Sequence, residues 1–460
     1  MRKWLSLLLC TLFMLTLSGC NVSDFLFKSP ESLYALPRLS EEYTSLQTCL
    51  QELLDSGLEY APPLTGSTTQ PVHLRDLDGD GEDEAIAFLR DTSASESPLK
   101  LYIFKKNSEG VYETACVIAG NGTNINSALA CQLVGSEDTP LEIVVSWQTS
   151  STVYTLSAYS LANYQPTELM TPASYTRYSA LDLDQDGENE LVLLNVDNSG
   201  QALSTASYYD KSADRLVLAS TASLSASMSA IDRTQVGILS DGTPVLYVTG
   251  TILSNVGSSS SQITDLLALS EGTLSNLTLN PETLNSDATI RYNLTNAQDI
   301  NGDGVLELPS PYTIPAYEKE LPPDSFYGIS WQQFDANGTS TFVCSTYYNS
   351  ADGWYLELPD DWQGHFSLAR KDIAVSNTNE RGVFFYYRDG PSKGKPFLAI
   401  YKNTGSNRMS RAVEGNRILL NQDSSACYSL ELLDSSSEWS LSPGDLEESF
   451  HLILTDWSSD

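Results

Sequence analysis

Apolar residues in this chain either alternate with polar ones over short stretches or gather into brief unbroken runs, and Gly, Asp, Asn and Ser interrupt them at close intervals. Ser, Thr, Val, Leu and Tyr dominate between the turns, Tyr alone numbering 24, which favours strands over helices. Runs such as AIAFL (85–89) and LVLLNV (191–196) are each followed by two alternating segments around a turn, as in LYIFKKNSEGVYETACV and TASYYDKSADRLVLAST. Aligned on the residue that opens each run, the units start at Glu84, Glu142, Glu190, Pro244 and Glu307, at intervals of 58, 48, 54 and 63 residues. Repeats of this size with several short strands apiece predict the blades of a β-propeller rather than solenoid coils. About five blades fit between residues 72 and 349, and a sixth or seventh has to come from flanking strands. A helical period occurs near the N-terminus, where Tyr43, Leu46, Leu50, Leu53 and Leu54 share one face, Ser40 can cap and Gly57 can terminate. Its stripe reads as a packing face against the propeller. Residues 350–460 carry longer strands (GVFFYYR, PFLAIYK, NRILLNQ) and a helix starting near Pro443. They predict a small α+β domain that folds independently.

Three units are entered through an acidic loop: DLDGDGEDE (76–84), DLDQDGENE (182–190) and DINGDGVLE (299–307). Each runs acid, spacer, acid or amide, spacer, Asp, Gly, two spacers, Glu. Calcium takes about six to eight oxygen ligands, and alternate residues of a tight loop aim side-chain oxygens at one point. The glycine permits the sharp turn that a Cβ would obstruct. Candidate ligands are Asp76, Asp78, Asp80 and Glu84, then Asp182, Asp184, Asp186 and Glu190, then Asp299, Asn301, Asp303 and Glu307. Seventh-position carbonyls at Glu82, Glu188 and Val305 would complete the shells, so up to three structural Ca2+ ions are expected. EF-hands do not fit: their position twelve is an acid, and here it is Ala87, Leu193 and Ser310. An acidic loop feeding straight into a strand resembles the FG-GAP and VCBS-type repeats of integrin-α-like propellers. Many of those have Asp at the ninth position, where this chain has Glu.

The N-terminus predicts an address. Arg2 and Lys3 precede the apolar stretch Trp4 to Leu17, and Leu17-Ser18-Gly19-Cys20 follows. This resembles the lipobox of bacterial lipoproteins, which implies removal of residues 1–19 as a signal peptide and lipidation of Cys20. Two acyl chains anchor a protein stably where one does not. Later segments fall short of the roughly 18 apolar residues a membrane helix needs. Residues 20–71 are then linker and helix, and the rest is expected outside a Gram-positive cytoplasmic membrane. GWYLELPDDWQGHFSL (353–368) is similar to the start of a C-terminal domain in clostridial lipoproteins of uncharacterised function, a group that the mature chain resembles as a whole. That group implies an architecture and no activity.

Formal charge is −34 and becomes −36 once Arg2 and Lys3 are removed. Nucleic acid is excluded as a partner by such a field, and the membrane is met through the lipid anchor. Residues 340–460 account for −7 of this, with 10 basic and 17 acidic residues, so the preceding mature part carries −29. Beyond Cys10 and Cys20, the scattered Cys49, Cys116, Cys131, Cys344 and Cys427 form no disulfide framework or zinc spacing.

Catalytic signatures are few. His73, His365 and His451 are isolated, and neither HExxH nor GxSxG occurs. Ser97-Pro98-Leu99-Lys100 matches SxxK by letters but has no KTG partner. Trp147, Trp331, Trp354, Trp362, Trp439 and Trp457 could stack on sugars, though packing roles are expected. The expectation is therefore no enzyme but a cell-surface binding module for a protein or glycan ligand. The alternatives are an envelope enzyme acting on glycan or peptidoglycan, or a purely structural wall scaffold.

Overall fold

The computed structural model describes residues 43–134, 140–196, 204–253, 260–292, 295–317, 326–375, 378–434, 439 and 442–453. The expected signal peptide, Cys20 and Ser40 lie outside the described residues. No helix among the described residues is long and apolar enough to cross a membrane.

The described residues are mainly β, laid out as six antiparallel sheets that follow one another in sequence. Helix α1 (Thr44–Asp55) comes first. Sheet I holds β1 (Leu58–Tyr60), β2 (Val72–Arg75), β3 (Glu84–Asp91), β4 (Leu99–Lys106) and β5 (Tyr112–Gly120), with β1 and β2 end to end along one edge of β3. Sheet II holds β6 (Asn124–Cys131), β7 (Glu142–Gln148), β8 (Tyr154–Ser160), β9 (Thr167–Glu168) and β10 (Ala173–Tyr175). Sheet III is the meander β11 (Arg177–Leu181), β12 (Glu190–Asn195), β13 (Thr205–Ser212) and β14 (Arg215–Ser223). Sheet IV repeats it with β15 (Met228–Ile238), β16 (Pro244–Leu253), β17 (Ser260–Ser270) and β18 (Thr273–Asn276). Sheet V begins with β19 (Leu308–Ile314), β20 (Phe326–Phe334), β21 (Ser340–Asn349) and β22 (Trp354–Leu358). Sheet VI holds β23 (Phe366–Val375), β24 (Thr378–Tyr387), β25 (Pro396–Gly405), β26 (Ile418–Gln422) and β27 (Ala426–Leu432), with helix α2 (Arg408–Ala412) between β25 and β26. After helix α3 (Pro443–Ser449), β28 (Phe450–Leu452) returns to pair with β22 of sheet V.

The strand that opens each aligned unit starts at Glu84, Glu142, Glu190 and Pro244, and at Leu308 one step past Glu307. Its unbroken apolar run is explained by burial on both faces, each face feeding a different core. Ile86 and Phe88 of β3 join Ile143, Val145 and Trp147 of β7, while Ala85 and Ala87 pack under Leu46 and Leu50 of α1. Val144 meets Leu191 and Leu193 of β12. Val192 and Leu194 meet Leu246 and Val248 of β16, and Val245 and Tyr247 meet Leu308 and Phe334 of sheet V. Each sheet thus packs on the next, and α1 covers the free face of sheet I.

Three expectations change. Helix α1 starts at Thr44 behind Tyr43, with no side-chain cap. Packing sets that end instead, since the Tyr43 ring stacks on Tyr112 with centroids 6.3 Å apart. The boundary at residue 350 falls inside sheet V, where Asn349 of β21 pairs with Trp354 of β22. One core cluster joins Ile314, Phe326 and Tyr347 to Trp354, Phe385 and Leu430, so the residues on either side of 350 share their burial. The C-terminal region is also more β than α+β, with α2 and α3 only short connectors. Helix α3 does begin at Pro443, capped reciprocally by Ser442 and Asp445.

Candidate metal centres

The three acidic loops share one hydrogen-bond frame. The first-position carboxylate accepts the fourth- and sixth-position backbone N–H groups: Asp76 from Gly79 and Gly81 (2.7 and 3.0 Å), Asp182 from Gln185 and Gly187 (2.6 and 3.0 Å), and Asp299 from Gly302 and Gly304 (2.7 and 2.9 Å), with a third from Asp303 at 3.1 Å. The fifth-position aspartate accepts the N–H two residues on, at 2.8–2.9 Å in Asp80, Asp186 and Asp303. Such turns need left-handed backbone at the fourth and sixth positions. Five of the six are glycine, and Gln185 adopts φ +65° without that freedom. The ninth-position glutamates Glu84, Glu190 and Glu307 are buried, and each accepts the second-position N–H at 2.8 Å (Leu77, Leu183, Ile300).

Sheet II reveals what that last bond does. Its loop lacks the alternating acids, with Gln132 just before Leu133, yet Glu142 is buried and accepts the Leu133 N–H at 2.8 Å. One oxygen of the glutamate therefore clasps the loop to its strand whether or not a cation is involved. Sequence reasoning treated the ninth position as a ligand alone. The glutamate aligned at position 142, after a loop without the alternating acidic pattern, was the available signal.

What stands over each loop differs. In loop 1 the Lys105 ammonium from β4 bonds Asp78, lies 2.9 Å from Asp80 and 3.4 Å from Glu84, and Tyr164 from sheet II donates to Asp78 at 2.9 Å. In loop 2, Lys211 bonds Glu188 and lies 3.1 Å from Asp186. In loop 3 the Gln333 amide donates to Asp303 and Glu307, both at 2.7 Å. Ligand atoms of Asp182, Asp184, Asp186 and Glu190 all lie within 4.8 Å of one another, as do those of Asp76, Asp78 and Glu84. Among the described residues, loop 3 gathers no such carboxylate group.

Electrostatics follow the geometry. Burial pushes the Glu190 carboxyl up to about 7, with Asp184, Asp182 and Asp210 adding to the rise against the Leu183 N–H. Burial also raises Glu84, Glu307 and Asp184. Asp80 is held below the usual carboxylate range, chiefly by the Lys105 hydrogen bond. Beside loop 2, the Tyr208 side chain is 1 % exposed and its hydroxyl has no partner among the described residues. Burial raises that phenol further from ionisation, as do Glu190, Asp210, Asp184 and Asp186. An all-oxygen donor set with an orphaned hydroxyl beside it fits a hard cation carrying water.

The five cysteines after Cys20 are free thiols, and Trp147, Trp331, Trp354 and Trp362 are buried packing residues. Trp457 lies outside the described residues.

No family model matches the sequence, and no curated protein does. Among solved structures, the chain is similar to an exo-β-1,3-galactanase from Phanerochaete chrysosporium with galactose, at 11% identity and a TM-score of 0.25, over 78% of this chain and 81% of that one. The expectation that the chain is no enzyme is withdrawn on this finding, because the solved structure it resembles is an enzyme. A likeness this distant carries no argument for an activity here.

Proposed function

We propose that this chain is a calcium-binding protein of the cell envelope, exported and lipid-anchored at Cys20. In this reading the successive sheets are blades of a β-propeller that display a surface to a protein or glycan ligand. The observation that carries it is the convergence of Asp182, Asp184, Asp186 and Glu190 within 4.8 Å in a loop whose backbone frame recurs twice more. Like charges held so close repel, and a divalent ion relieves that repulsion. When bound, calcium would neutralise these carboxylates and draw the loop onto its strand, while the residues themselves fix the loop's turn and clasp.

Outside the cell calcium is near the millimolar dissociation constants common in extracellular modules, so such sites fill. An ion that binds only the folded state adds about 2.7 kcal/mol per site at a hundredfold excess over its dissociation constant. The melting temperature is expected to rise with millimolar calcium, to fall back with chelator and to respond less to magnesium. Asp186→Ala is expected to lose most of the increment. A melt and a bound-metal count that both ignore calcium would leave the loops as acidic turns. The anchor has its own test: Cys20→Ala should abolish lipid labelling and release the protein to the medium, and unchanged membrane retention in washed cells would defeat the assignment.

A further inference from the structure

We propose that the residue facing each ninth-position glutamate decides whether its loop answers to calcium, so that loop 1 carries a built-in cation and loop 2 is the responsive site. This rests on the calcium reading above and deepens it. The position is set by strand register. One step beyond the Ala85–Phe104 pair, Lys105 stands opposite Glu84. One step beyond Leu191–Tyr209, Asp210 stands opposite Glu190. One step beyond Leu308–Gln332, Gln333 stands opposite Glu307. A single structural position is thus cationic, anionic and neutral in three loops that otherwise share a frame.

The consequences differ in kind. The Lys105 ammonium bonds Asp78 and Asp80 and lies 3.4 Å from Glu84, the place a bound cation would take, and the Tyr164 ring lies 5.3 Å from it. Calcium would have to expel a tethered charge that is present at very high effective concentration. Loop 2 is held less fully: Lys211 bonds Glu188 and lies 3.1 Å from Asp186, but among the described residues it pairs with none of Asp182, Asp184 and Glu190, and Asp210 adds a negative charge beside them. Independently of the acids, the buried Tyr208 hydroxyl has no partner among the described residues, and Tyr208 stands opposite Val192, two residues along β12 from Glu190. A hydroxyl left unsatisfied inside a protein points to a missing partner such as a metal-bound water. Loop 3 has Asn301 in place of a carboxylate and the Gln333 amide on two of its acids, and ranks below loop 2.

The test is calorimetric titration of calcium into metal-free protein, full chain without the leader, with folding checked by circular dichroism. Wild type should show its strongest site in loop 2 and none in loop 1. Lys105→Gln should add one ion to the count, while Lys105→Arg, which keeps the charge, should not. The reciprocal Asp210→Lys, at a half-exposed position, should weaken the strongest site by on the order of tenfold or more. Three equal sites in wild type, an unchanged count in folded Lys105→Gln, or undiminished affinity in Asp210→Lys would each overturn this inference alone. Failure of every protein to bind calcium would overturn it together with the calcium reading.

Discussion

A fragment comprising residues 350–460 is expected to lack a cooperative melt, although the shift in charge along the chain marks it as a separate domain. The cut removes β21 from β22, breaking a ladder that runs from Ser345–Leu358 to Asn349–Trp354. It also strips Ile314, Phe326 and Tyr347 from the largest core cluster, leaving Trp354, Leu356, Phe385 and Ile400 partly open to water. β28 would still pair with β22, but as a two-strand remnant of sheet V that has lost β19, β20 and β21, and two-strand pairs are marginal in water. Asp352, buried beside Asn349 (3.0 Å from its Nδ2), would lose that partner while keeping Arg381 at 2.9 Å. The measurement is far-ultraviolet circular dichroism through a thermal ramp, with the full chain as reference. A sharp, reversible transition in the fragment would show that sheet VI and β22 need nothing from the preceding strands.

How much of this was legible depends on the range over which each signal acts. The opening residues Glu84, Glu142, Glu190 and Pro244 mark real strand starts because a doubly buried strand requires an unbroken apolar run, a local property of sequence. The acidic loops were legible for the same reason, since their turns and first-position carboxylate bonds close within six residues. The helix was readable in its stripe but not in its start, because Tyr43 is fixed by stacking on Tyr112, 69 residues away. The boundary at 350 misled because charge density reports the surface, whereas the core of sheets V and VI is continuous beneath it. The roles of Lys105, Asp210 and Gln333 could not be read at all, since they emerge only when the register of one strand against the next is known. Glu142 lay between these cases: its alignment was visible, but its function as a backbone clasp needed the Leu133 bond to interpret.

Trp354→Ala is expected to be among the most damaging single substitutions in the chain. The side chain is 1 % exposed and lies where three strands meet, opposite Asn349 of β21 and Leu452 of β28. Its ring stands edge-on to Tyr347, with centroids 5.4 Å apart and planes at 72°, and tilts against Phe450 at 5.7 Å. Truncation removes both aromatic contacts and leaves a hole beneath a sheet whose neighbours are themselves large and close-packed. Large-to-small changes of this kind cost about 3–5 kcal/mol, because the walls relax only partly and the lost ring contacts are not replaced. Trp354→Phe should recover part of that, since a ring still reaches Tyr347. The denaturant midpoint should fall steeply in the alanine variant, while calcium still raises the melt by its wild-type increment, since no loop residue shares this cluster. A loss under about 1 kcal/mol would mean that the neighbours close over the gap, and it would remove the case that this tryptophan pins β28 to the end of sheet V.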